Sequence, residues 1–74
     1  MNEEVIKIIS EIVEIPVKKI KLESDLINDL ELESLDLVNL ISEFESRYNI
    51  TVDDKDIKNL QTVNDIVEYL EKNV

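Results

Sequence analysis

Cysteine, histidine, glycine and tryptophan are all missing from this 74-residue chain, and proline occurs once. Without cysteine there are no disulfides and no thiolate metal sites. With no histidine either, a serine has no ready base to make it a nucleophile, and scattered carboxylates on so short a chain offer no closed catalytic pocket. No apolar run approaches the ~20 residues that span a bilayer. The start, Met1-Asn2-Glu3-Glu4, lacks the basic flank of a secretory signal. A cytosolic monomer with no membrane insertion is expected. A single core at this length is marginal, so one domain over residues 1–74 with modest stability is expected.

What the chain has in excess is acid. Eighteen Asp and Glu face eight Lys and Arg, for a net charge of −10. The basic residues all lie outside residues 22 to 46, while eight of the acidic ones lie inside that window. Nucleic acid is thereby excluded as a partner, because its phosphates would be repelled. The plain reading is a solvated acidic surface; the sharper one is a site that steers basic partners.

Apolar spacing gives an all-α reading. Val5, Ile8, Ile9, Ile12 and Val13 form one stripe, predicting a helix over about 3–14 with Asn2 as its cap and Ile15-Pro16 as its stop. Residues 15 to 33 show no period, yet Ile20, Leu22, Leu26, Ile27, Leu30 and Leu32 suggest a long loop pinned by its own side chains. Ser24 reads as a turn residue there, and Lys18, Lys19 and Lys21 as a solvated basic patch. A second helix is predicted over about 34–48, closed by Asn49 in place of glycine. Asp53 or Asp54 opens a short helix with Ile57 and Leu60 inward. Thr62-Val63-Asn64-Asp65 resembles a capping box ahead of the stripe Val63, Ile66, Val67 and Leu70, a last helix ending near Asn73. The fold expected is a small bundle of three main helices plus one short helix, with a long loop between helices one and two. The run Asp53-Asp54-x-Asp56 lacks the glycine and closing glutamate of a calcium loop.

The second helix carries two apolar stripes. At about 100° per residue, Leu37, Leu40, Ile41, Phe44 and Tyr48 share one face, the core face. Leu35 and Val38 fall outside it, beside Ser34. Ser34 has two readings: an N-cap whose oxygen accepts from the first turn, or a hydroxyl to which another enzyme attaches a group.

The run Asp29-Leu30-x-Leu32-Glu33-Ser34-Leu35-Asp36-x-Val38 resembles the Asp-Leu-Gly-x-Asp-Ser-Leu-Asp signature of acyl carrier proteins. The resemblance implies a 4′-phosphopantetheine arm on Ser34, placed by a phosphopantetheinyl transferase, whose thiol holds acyl chains as thioesters. It also implies a carrier that is no enzyme and that visits basic-surfaced acyl-processing enzymes. Leu35 and Val38 would be the apolar anchors, with Glu33, Asp36, Asn39, Glu43 and Glu45 as the charged and polar rim. Glu31 stands where the family has glycine, so that loop is either ordinary in conformation or strained. Glu33 replaces the family's aspartate, and Ser42 an often apolar residue. The strong acidity and the Leu-Asp after Ser34 lean towards a free-standing fatty acid or polyketide carrier. The alternatives are a carrier for D-alanine or another amino acid, and an unmodified acidic helical interaction module.

Overall fold

A computed structural model describes all 74 residues. In chain order it holds α1 (Asn2–Val13), a single 3-10 turn (Val17–Lys19), α2 (Ser34–Tyr48), α3 (Asp54–Ile57) and α4 (Val63–Asn73), with no named strands. The all-α expectation therefore holds, and α1 packs against both α2 and α4.

Each helix is set by its apolar spacing and its ends. In α1, Val5, Ile8 and Ile9 are buried, while Ile12 and Val13 pack against the core from its edge. The helix begins earlier than the capping argument placed it: Asn2 is already helical and Met1 is the cap. The Met1 carbonyl takes the Val5 N–H at 3.0 Å, so the first turn closes on backbone alone. Glu14 ends the helix in the left-handed region at φ 57°. Asn49 does the same for α2 at φ 54°, as expected of a residue that tolerates this conformation.

The link after α2 is drawn inward by Val52, whose N–H is held by the Glu45 carboxylate at 2.8 Å. Asp53 caps the one-turn α3, and Leu60 is buried just past its end rather than within it. At α4 the anticipated capping box is present. Thr62 Oγ1 accepts the Asp65 N–H at 3.1 Å, and Asp65 Oδ2 accepts the N–H groups of Thr62 and Gln61 at 3.0 and 2.9 Å. Val63, Ile66, Val67 and Leu70 are all buried behind it.

Sixteen buried apolar residues form one continuous core, and Phe44 is its one aromatic. Ser24 is the lone buried polar residue. Its hydroxyl accepts the Lys21 N–H at 3.0 Å, which makes it the turn residue expected. No buried side-chain polar atom lacks a partner.

Tyr48 closes the α1–α2 seam: its ring stacks near Phe44 at 6.2 Å and its hydroxyl donates to the Glu4 carboxylate. Burial, reinforced by that hydrogen bond, pushes the Tyr48 phenol up to about 12 from an ordinary 10.0. The fold thus favours the protonated phenol. Its contribution to stability is complete below the unfolded value and is lost as pH rises through the native one. A spectrophotometric titration should show a late tyrosine near pH 12 that disappears in Tyr48→Phe; a native protein in which both tyrosines ionise at the ordinary value would contradict this seam.

Candidate functional site at the head of the second helix

The long loop leads into α2 through a knot of backbone bonds centred on Asp25. Its Oδ1 accepts the N–H groups of Ile27 and Asn28 at 2.9 and 2.8 Å, and its own N–H is held by Asp29 Oδ2 at 2.7 Å. The Asn28 N–H is the chief cause of an Asp25 carboxyl held below its usual range. Leu26, Leu30 and Leu32 are buried by this turn, as the pinned-loop reading required. Ile27 is the exception: expected as a pin, it is 48% exposed. The tight turn on Asp25 commits the residues on either side and leaves Ile27 at the outer bend. The whole loop is stitched to the start of α4. Leu26 donates to Gln61 at 2.8 Å, Val63 to Ser24 at 3.1 Å and Asn64 to Leu22 at 2.8 Å, around a bridge between Asp25 and Thr62.

Glu31 then adopts φ 56°. Of the two conformations open to it, the strained one is found, because the chain must reverse between the buried Leu30 and Leu32.

The cap of α2 is Glu33, not Ser34. Glu33 is extended at φ −89° and ψ 169°, and its N–H is taken by Asp36 Oδ2 at 3.0 Å. Asp36 reaching back makes Glu33 the half-in residue, and Ser34 becomes the first residue of the helix proper. The capping reading of Ser34 is thereby overturned. Its side chain is exposed, and none of the hydrogen bonds of the fold uses its hydroxyl.

Around Ser34 the two stripes of α2 separate as the wheel required. Leu40, Ile41 and Phe44 are buried, with Leu37 and Tyr48 packed at the core edge. Leu35 and Val38 are 68% and 51% exposed. Asp36 and Asn39 are exposed beside them. The expected charged rim is less uniform than its composition suggests. Glu43 pairs with Arg47 at 2.7 Å, Arg47 reaches Glu11 at 3.6 Å, and Glu45 is half-buried on the Val52 N–H. Glu33 and Asp36 are therefore the acids closest in sequence to the free hydroxyl, and Glu45 has a structural duty of its own.

Ser34 also lies on the wall of a groove of ≈ 540 Å³, floored by Ile27, Leu37, Val38, Ile57 and Leu60. Lys58 and Gln61 line it as well. From sequence Ile27 reads as a buried pin rather than a groove residue, and Lys58 and Gln61 are not singled out; the Asp25-x-Ile27 spacing of an Asx turn was the one signal for the first of them. Between α2 and α4 the interior seam lined by Ile41, Phe44 and Leu70 is nearly closed, at ≈ 10 Å³. No group of three or more carboxylates is placed to hold a metal ion, and no helix is long and apolar enough to cross a membrane.

The acidic window, residues 22 to 46, takes in the second half of the long loop and most of α2 with no basic residue of its own. Self-repulsion at a net charge of −10 acts over roughly a Debye length, about 8–10 Å near physiological ionic strength. Added salt or a divalent cation should therefore raise the melting temperature by several degrees; a melting point indifferent to salt would show that these charges do not strain the fold.

A helix that presents an unengaged hydroxyl at its first residue, in a chain with neither histidine nor cysteine, suits a protein that is loaded by others and carries what it is given. The family model described as the phosphopantetheine attachment site matches residues 3–70. An acyl carrier protein of Thermotoga maritima is 46% identical over 65 residues, covering 88% of this chain and 80% of its own length. One from Amoebophilus asiaticus is 39% identical over 72 residues, 97% of this chain and 90% of that relative. Among solved structures, a candidate acyl carrier protein from Mycobacterium tuberculosis superposes with a TM-score of 0.87 at 30% identity, over 97% of each chain. This chain belongs to the acyl carrier proteins, which are carriers rather than enzymes and whose cofactor is 4′-phosphopantetheine.

The residues at the head of α2 fit that cofactor. A phosphodiester on the Ser34 hydroxyl would displace no hydrogen bond of the fold and would stand at the amino end of a 15-residue helix. Free N–H groups and the helix dipole favour an anion there by roughly 0.3–1 kcal/mol when exposed.

Proposed function

We propose that Ser34 is the attachment residue, and that the chain ferries acyl intermediates between the enzymes of fatty acid, or closely related polyketide, biosynthesis in the cytoplasm. The observation that carries this reading is the free, exposed Ser34 hydroxyl at the first position of α2, inside the family's motif. Attachment needs coenzyme A and a transferase. The hydroxyl loses its proton, a phosphodiester bond forms at Oγ, and the pyrophosphate bond of coenzyme A breaks to release adenosine 3′,5′-bisphosphate. Once bound, the group supplies the thiol on which an acyl chain is held as a thioester.

The chain's own residues then do the recognising. Leu35 and Val38 offer bulky apolar side chains to a partner on either side of Asp36. Glu33, Asp36, Asn39, Glu43 and Glu45 give the surrounding surface the sign that draws basic enzymes, setting on-rate and partner choice more than affinity. Weak, salt-sensitive docking is what repeated hand-over requires. Arg47 moderates this field at the far end of α2 by pairing with Glu43 and Glu11.

The test is intact-mass measurement of the purified protein after incubation with coenzyme A and a phosphopantetheinyl transferase. The expected result is a gain of one arm per chain, mapped by fragmentation to Ser34. A chain that gains nothing, or gains it at Ser24, Ser42 or Ser46, overturns the assignment.

A further inference from the structure

We infer that Ile27 is an apolar anchor for the phosphopantetheinyl transferase, gripped together with Val38 so that the enzyme holds the Ser34 hydroxyl from two segments of the chain. The inference rests on Ser34 being the attachment residue and adds to that reading a docking residue supplied by the long loop.

Six large apolar side chains stand exposed: Met1, Val17, Ile27, Leu35, Val38 and Val74. Met1 and Val74 are the first and last residues of the chain, and Val17 lies on the 3-10 turn. The other three gather around Ser34. Leu35 and Val38 follow it on α2, while Ile27 and Val38 line the same groove as its hydroxyl. Ile27 is the one of these three that the loop provides. It belongs neither to the sixteen-residue core nor to the apolar side chains packed at its edge, so the fold gains little from its being apolar.

The backbone nevertheless holds this residue firmly. The N–H groups of Ile27 and Asn28 go to Asp25 Oδ1 at 2.9 and 2.8 Å, and the Asp25 carbonyl accepts from Asp29 and Leu30 at 2.9 and 3.0 Å. The preceding residue, Leu26, is fully buried and donates to the Gln61 carbonyl at 2.8 Å. An apolar side chain presented on so fixed a backbone loses little freedom when a partner covers it, which makes it an effective anchor.

The reaction and the charge select the partner. An enzyme that acts on the Ser34 oxygen itself has to approach the groove wall where Ile27 and Val38 stand. Enzymes that act on a loaded arm need only reach the thiol at its far end. The transferase is the partner of the first kind. Ile27, Ser34 and Val38 all lie in the window of eight acids and no base, so the matching enzyme surface is basic with an apolar recess for the two side chains.

Wild type, Ile27→Ala, Ile27→Leu and Val17→Ala are each incubated with coenzyme A and a phosphopantetheinyl transferase. Initial rates are read by intact mass over a range of carrier concentrations at low and high salt, and melting is followed by circular dichroism. Wild type that takes no arm at Ser34 overturns the attachment reading and this inference together. With wild type loading, Ile27→Ala is expected to raise KM for the carrier about three- to tenfold at unchanged kcat, the signature of lost binding rather than lost chemistry. It should melt close to wild type. Ile27→Leu should restore most of the KM. Val17→Ala removes an equally exposed side chain, 51% against 48%, and should leave KM unchanged. The ratio of Ile27→Ala to wild type should survive high salt, because an apolar contact is not screened. Equal KM values for Ile27→Ala and wild type, an equal effect from Val17→Ala, failure of Ile27→Leu to restore binding, a ratio that salt abolishes, or a melting temperature for Ile27→Ala several degrees below wild type would each overturn the role of Ile27. Attachment at Ser34 would stand in all of these cases.

Discussion

Ser34→Ala will take up no phosphopantetheine under conditions that load the wild type completely, and it will unfold at nearly the same temperature. The first half of this result follows from losing the one oxygen that the arm needs. The second half follows from the cap. Were Ser34 the cap of α2, alanine would cost about 1 kcal/mol. Glu33 holds the cap position instead, and the Ser34 hydroxyl has no partner to lose. The expected change in stability is therefore within about 0.5 kcal/mol, the range of an ordinary surface substitution. Glu33→Ala and Asp36→Ala are the informative companions: Asp36→Ala removes the bond to the Glu33 N–H and should destabilise more than Ser34→Ala does. A Ser34→Ala protein that melts well below wild type would show that the hydroxyl holds the helix together, and would return the residue to a structural role. Thermal unfolding by circular dichroism beside intact mass separates the two roles in one set of samples.

Glu31→Gly should stabilise the protein by roughly 0.5–1 kcal/mol. A residue with a side chain incurs about 1–2 kcal/mol in the left-handed conformation that Glu31 adopts, and glycine avoids it. Part of the gain is offset, because glycine gives the unfolded chain more freedom, worth about 0.4–1 kcal/mol. In a domain of this size the net gain corresponds to a melting temperature higher by about 2–8 °C. Glu31→Ala separates conformation from charge. It removes one negative charge from the acidic window but keeps the Cβ, so it should gain much less than glycine does. Equal gains from both variants would mean that charge relief, not backbone strain, is what Glu31 imposes.

These two positions also show what could be seen from sequence and what could not. Apolar periodicity located all three long helices to within a residue or two and separated the buried Leu40, Ile41 and Phe44 from the exposed Leu35 and Val38. Periodicity works there because burial in a bundle is a matter of angle around one axis. Capping was legible at Thr62, where the hydroxyl and the carboxylate stand in the usual order, and misread at Ser34. A glutamate in the cap position breaks the preference for short polar side chains on which the reading relied. The left-handed turn at Asn49 was foreseen because asparagine tolerates it; Glu14 carries no such mark, and Glu31 was marked only by standing at the family's glycine, which left an ordinary conformation equally open. Ile27 and Lys58 were out of reach for a different reason. Their place in the groove depends on the chain returning through Gln61 to lie against the long loop, a contact between segments more than 30 residues apart.

That return has a mechanical meaning. The strand-like contacts at Leu26, Val63 and Asn64 fasten the approach to Ser34 onto the head of the final helix. The platform beneath Ser34 and the carboxyl-terminal quarter of the chain should accordingly open as a single cooperative unit, their amide hydrogens exchanging with deuterium together. Fraying the last helix from its tail would then loosen the footing of Ser34, which lies near the middle of the sequence.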